Sequence, residues 1–371
     1  MNRKLSAPLD RRTDLLIATG LLIFIVALTA LAAEKLLPER LAFGFDWALH
    51  WHVVRGGGLI YIAGNYNPPW TFLWLWPLGW LSFRSSWGVF TVFTLLILIL
   101  CVPRTAHHRL DLAGLGWLMG SYVTLRQIAD GNLTALVIAG CLLVEWSYRQ
   151  RSDWGLALGV LLLTTKMQES ALALAALALS VVWVWPRPRW RRALLIVLLV
   201  IAPSLLIWGA DWGQALRHIS DELFSRPGGG GVTLTAITGL VGQWPWVRLM
   251  LSVSILGITA YLTLASPTVF NANKIAALVS ASLLLSPYAN VLSLTTVLAV
   301  GVMALRQRHI WLGTILAAFT SLPLLTVFVT PLPTIPNYYW AVWLVACWSA
   351  FCWQLSRQIR SATLAANVSN A

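Results

Sequence analysis

Uncharged stretches of about 15 to 20 residues recur along the whole of this 371-residue chain. The first, residues 15–33, runs 19 residues without an acid or a base. A helix of about 20 apolar residues matches the ~30 Å hydrocarbon layer of a bilayer. Inside that layer every backbone N–H and C=O must be bonded within the fold, which leaves little choice but helices. With 58% hydrophobic and 11% charged residues, the chain could not furnish a soluble domain of this size with a polar surface. The expected class is all-α: one polytopic integral-membrane domain over residues 1–371, with no separate soluble domain. Many of the 22 tryptophans flank the apolar runs, where an amphipathic ring suits the headgroup level.

The basic tail Arg3, Lys4, Arg11 and Arg12 orients the first helix from cytoplasm to outside. Residues 30–32 imitate a cleavage site, but 15–33 is longer than the apolar part of a usual signal peptide. Following the runs predicts about 12 helices: 14–33, 86–103, 110–127, 133–148, a short pair over 154–185, 193–209, 246–265, two flanking 287–290, 310–329 and 339–355. Two external loops, about 34–85 and 210–245, interrupt them, and both termini are cytoplasmic. Residues 68–83 are read as a helix in the outer interface, because a full span there would put the basic turn 103–109 outside. The cytoplasmic loops then hold 17 basic and 5 acidic residues, the external side 9 and 8. That is the positive-inside pattern, and it explains the net charge of +13 without nucleic acid. The predicted location is the cell membrane.

The four cysteines lie in or beside apolar runs and read as small core residues, without disulfide or metal spacing. Gly228–Gly231 lack the lysine and Ser/Thr of a phosphate loop. His107, His108 and His309 fall in basic loops.

On this topology the polar residues near membrane depth gather on the external face. Asp46, His50, His52 and Arg55 belong to the first loop, and Tyr66, Asn67, Pro68 and Pro69 close it. Arg126, Gln127, Asp130 and Asn132 cap one helix pair; Lys166, Gln168 and Glu169 form the tip of the short pair; His218 and Asn290 complete the set. Ionisable groups in a membrane are costly and mark function by default. The short-pair helices reach about 20–25 Å, so their tip sits below the surface in a wet cavity. There Lys166 either binds an anion or merely closes the turn by pairing with Glu169. Asp46 and His50 are four residues apart and share a helix face, and Asp46 is placed to take a proton from a hydroxyl. His50 and His52 alone do not make a zinc motif.

The order of these motifs resembles glycosyltransferase family 87 of the C-type membrane glycosyltransferases, from about residue 14 to residue 305. The carrying residues are Asp46; Tyr66-Asn67-Pro68-Pro69 followed by Pro77; Gly131-Asn132; Lys166; and Ser286-Pro287 with Asn290. Here no Gln follows Gly131, Gln127 being the nearby glutamine, and Met167 stands where the family has proline. The resemblance implies about a dozen helices, an external catalytic pocket, a polyprenyl-phosphate sugar donor such as the mannosyl donor, and turnover without a cofactor or metal. It implies Asp46 as catalytic base. Lys166, Arg126, Gln168, His218 and Arg55 are candidates for binding the donor's phosphate and sugar. His50, Tyr66, Asn67, Pro68, Pro69, Gln127, Asp130, Asn132 and Asn290 are candidates for the pocket. A single base with attack from the opposite face implies inversion. The acceptor would be a lipid or glycan, with membrane lipids around the chain. Two other readings stay open from the residues: a transporter or flippase of a lipid-linked or anionic substrate, and a non-catalytic lipid-binding relative.

Overall fold

The computed structural model describes residues 43–56, 66–103, 111–225, 231–239, 244–265, 270–305, 310–327 and 335–369. The predicted first helix, residues 104–109 of the basic turn 103–109, residues 228–230 and His309 lie outside them. Within them the structure is helical, apart from one isolated parallel bridge between Gly231 and Ala289. The helices are α1 Phe45–Gly56, α2 Pro69–Leu75, α3 Phe83–Cys101, α4 Leu112–Met119, α5 Tyr122–Asp130, α6 Thr134–Gln150, α7 Asp153–Leu163 and α8 Met167–Val184. After these come α9 Arg187–Ser225, α10 Leu234–Thr238, α11 Pro245–Ala265, α12 Ala272–Leu285, α13 Leu294–Leu305, α14 Ile310–Val327 and α15 Asn337–Ser369.

Among the described residues four stretches are long and apolar enough to cross a membrane: Phe83–Cys101, Asp153–Val184, Arg187–His218 and Pro245–Ala265; a bent pair, α5 with α6, would make a fifth. The chain is thus an all-helical protein with the makings of a membrane protein. By sequence length alone, Asp153–Val184 could be one rod. It turns back instead. Lys166 leaves helical geometry (φ −136°, ψ 83°), and the two ends meet, since Arg192 at the start of α9 pairs with Asp153 at 3.5 Å and Arg189 donates to the Arg151 carbonyl. The expected short pair with a polar tip at Lys166 is therefore present.

Three predicted helices differ. The expected 339–355 helix runs from Asn337 to Ser369. The expected 110–127 helix is broken between α4 and α5, where Ser121 takes an extended conformation (φ −90°, ψ 133°). The expected 193–209 helix extends to Arg187–Ser225. At 1.5 Å per residue this is about 58 Å, well beyond the ~30 Å hydrocarbon layer. The basic start of α9 satisfies water or headgroups while its middle is apolar, so the helix has no reason to stop at either edge.

Residues 68–83 do not form a span. Helix α2 has seven residues, starts on Pro69 at its first turn, and passes into a 3-10 turn over Trp76–Trp80. Trp74, Trp76 and Trp80 project outward and Trp80 is 80% exposed, a surface suited to a headgroup layer. At the same end of the fold Trp70 donates to Thr164 Oγ1 (2.9 Å) and packs edge-on against Trp212 of α9.

Helices α6 and α7 form a tight antiparallel hairpin. A Cβ at Gly140 would stand 2.8 Å from the Leu163 nitrogen, and one at Gly159 would stand 2.7 Å from Val144 Cγ2. Small residues let the two backbones touch, as in membrane helix pairs generally. This contact brings the first residues of α6 alongside the tip after α7. Gly140→Leu is expected to destabilise the protein by about 1–3 kcal/mol or more through overpacking. An unchanged melting temperature in detergent would contradict so close a contact.

Candidate functional site

Helices α5 and α6 meet at 112°, with Gly131 in the left-handed region at the bend (φ +68°). A Cβ on Gly131 would also lie 2.7 Å from Trp47 Cβ. Glycine here serves both the bend and the close docking of α1, which is further tied by Gly44 N–H to the Ala129 carbonyl (2.6 Å). Trp47 anchors α1 by stacking on Phe90 and donating to Ser86 Oγ. The next residue after the bend, Asn132, therefore faces Asp46 of α1.

Asn132 Nδ2 donates to Asp46 Oδ2 at 2.5 Å. Asn132 Oδ1 accepts from Lys166 Nζ (2.8 Å) and from the Thr134 backbone N–H (3.0 Å). Lys166 also donates to Thr134 Oγ1 and pairs with Glu169 Oε1, each at 3.0 Å. Glu169, with no exposed surface, accepts on its other oxygen from Thr296 Oγ1 of α13 (2.7 Å). Gln127 Nε2 donates to the Asn132 carbonyl and steadies the turn. The Lys166–Glu169 ion pair, one of the two sequence alternatives, is thus formed, and Lys166 stands one amide side chain away from Asp46.

These groups border a cavity of about 240 Å³, lined by Asp46, Leu49, His50, Tyr66, Asn67, Pro68, Asn132, Thr165, Lys166, Met167, Gln168, Trp212, Leu216, Tyr288 and Asn290. Nine of these were expected from the sequence. Trp212 holds the mouth by donating to the Tyr66 carbonyl at 3.0 Å. Asn290 Oδ1 caps the short 3-10 turn after it by accepting from Leu292 N–H. Burial, with Tyr66 and Asp46 nearby, raises the Tyr288 phenol above its ordinary range, so it enters as a neutral hydroxyl. Comparison with protein-family models, curated proteins and solved structures finds no match.

The remaining expected residues do not line the cavity. Arg126 pairs with Asp130 at 3.0 Å, four residues on along α5. Arg55 lies over the Trp51 ring at 4.7 Å. His218 is exposed on α9, two residues beyond the lining Leu216. Pro69 is buried at the start of α2, and Gln127 is buried behind Asn132. The sequence reading missed Leu49, Thr165, Met167, Trp212, Leu216 and Tyr288. Leu49, Thr165 and Met167 are chain neighbours of expected residues; Trp212 and Leu216 come from the unforeseen extension of α9.

Burial, and then the Lys166 charge, push His50 down from an ordinary 6.5 to about 3, and its Nδ1 has no partner among the described residues. The imidazole is therefore neutral at physiological pH. An unfolded chain takes up a proton below pH 6.5 that the folded one refuses, so this contribution to stability is full above 6.5 and falls away toward pH 3. His50→Gln protein is expected to lose a few kcal/mol less than wild type between pH 7 and pH 3. Parallel thermal melts of the two proteins in detergent across that range would check this, and identical pH slopes would contradict it.

Proposed function

We propose that the protein is a membrane hexosyltransferase that moves a hexose, mannose being first choice, from a polyprenyl phosphate to a lipid or glycan acceptor. The carrying observation is one carboxylate, Asp46, on a cavity otherwise lined by neutral polar groups, aromatic rings and an already paired lysine. Asp46 Oδ2 is held by Asn132, which leaves the second carboxylate oxygen to take the acceptor's proton. One base suffices because the donor carries its own leaving group, whereas a glycosidase needs two carboxylates. The cavity is smaller than the ~300–1,000 Å³ of pockets for drug-sized ligands, which suits one sugar ring. Amide and phenol groups from Asn67, Gln168, Asn290 and Tyr288 are the neutral hydrogen-bonding set that sugar hydroxyls require.

The exposed tryptophans of residues 74–80 support a resting place for the lipid tail at the membrane surface. The resemblance of the motif order to family 87 supports the same reading, with inversion at the anomeric carbon and the site on the external face. Both termini are then cytoplasmic. The test is transfer of radiolabelled mannose from a polyprenyl phosphate to membrane lipids by purified protein, without added divalent metal. Absence of transfer, together with donor translocation across liposomes, would favour a flippase instead.

A further inference from the structure

Asp46 meets the buried cation only through the Asn132 side chain, and the orientation of that amide is determined. Its Oδ1 receives the Thr134 backbone N–H, a group that can only donate, so the NH₂ must face Asp46. Lys166 supplies the second donor to the same oxygen. An ammonium has three N–H bonds, and those of Lys166 match Asn132 Oδ1, Thr134 Oγ1 and Glu169 Oε1. An incoming phosphate would have to displace one of them. A cation on the carbonyl end of an amide polarises its NH₂, strengthening the bond to a carboxylate at the other end.

We propose that Lys166, through Asn132, is a positioning residue that holds the Asp46 carboxylate in its cavity-facing orientation, and that it is not a ligand of the donor phosphate. This deepens the reading of Asp46 as the base and rests on it. Glu169 has a matching part: it balances Lys166, so that the lysine acts on Asp46 through the amide and not by direct pairing. The other groups around Asp46 are the Asp130–Arg126 pair, Tyr288, Tyr66 and His50.

The test compares wild type with Lys166→Met/Glu169→Gln, which removes both charges together and spares the fold a lone buried ion. Asn132→Asp is a second, independent variant, because it sets two carboxylates against each other. Labelling of Asp46 by a water-soluble carbodiimide, read by mass spectrometry against pH, reports when that carboxyl carries a proton. In both variants the midpoint is expected to move up by about one pH unit or more. Unchanged midpoints in folded protein would overturn the proposal. Binding of a polyprenyl monophosphate is expected to be equal in wild type and the double variant; a tenfold loss would make Lys166 a phosphate ligand and overturn it as well. Labelling does not depend on turnover. A shifted midpoint in a protein that transfers no sugar would count against the function alone, and an unshifted midpoint with active Asp46-dependent transfer would count against the relay alone.

Discussion

Asp46→Asn protein is expected to fold normally and to lose transfer by about 10²–10⁴-fold, the usual contribution of a positioned general base. The substitution is nearly isosteric. The new side-chain oxygen can still accept from Asn132 Nδ2, so the bond that docks α1 on the α5–α6 bend survives. What is lost is the ability to accept a proton from the acceptor hydroxyl. Asp46 is the one carboxylate among the described residues lining the cavity, and Glu169, outside that lining, is engaged with Lys166 and two threonines. Glu169 is also fully buried and faces no solvent path. The measurement is radiolabel transfer alongside a thermal melt. Full transfer by a protein with wild-type stability would remove Asp46 from the base role.

The largest expected effect on stability comes from breaking one half of the buried pair. Lys166→Met leaves Glu169 fully buried without its cation and, among the described residues, held by the hydroxyls of Thr134 and Thr296. Removing one partner of a buried ion pair costs about 3–5 kcal/mol, while replacing both together is often nearly neutral. The double variant Lys166→Met/Glu169→Gln is therefore expected to recover most of the loss. Denaturation of the three proteins in the same detergent compares them directly. Equal stability of the single and double variants would show that the pair carries no such cost.

Much of the site was legible because its signals are local. Asp46 and His50, four apart, do share the cavity-lining side of α1. Lys166 and Glu169, three apart, do pair, as do Arg126 and Asp130, four apart. The tip at Lys166 followed from the lengths of the apolar runs beside it. The three other cations could not be sorted in the same way. Arg55, Arg126 and His218 have long side chains or exposed positions, and which neighbour captures each depends on three-dimensional proximity: an indole ring, an aspartate, or open solvent.

The α5–α6 bend shows where local reading stops. A glycine between Asp130 and Asn132 signals a helix end, but not the 112° angle or the helix docked on it. Likewise the glycines of α6 and α7 mark close packing in principle, while their partners lie about 20 residues apart in the chain. Trp212 reached the cavity only because α9 continues past the apolar run expected to end it.

The sequence by itself determined that the chain is helical and suited to a membrane, and that ionisable residues cluster near the ends of its apolar runs. Those properties depend on run length and on spacings of three or four residues, which any helix expresses. Only the tertiary structure decided that Asn132 stands between Asp46 and Lys166, and that Tyr288 and Trp212 join them. Residues 86 and 34 positions apart meet there. Their meeting is set by a left-handed glycine and by two backbones in contact, and neither geometry is written in the spacing of the residues it brings together.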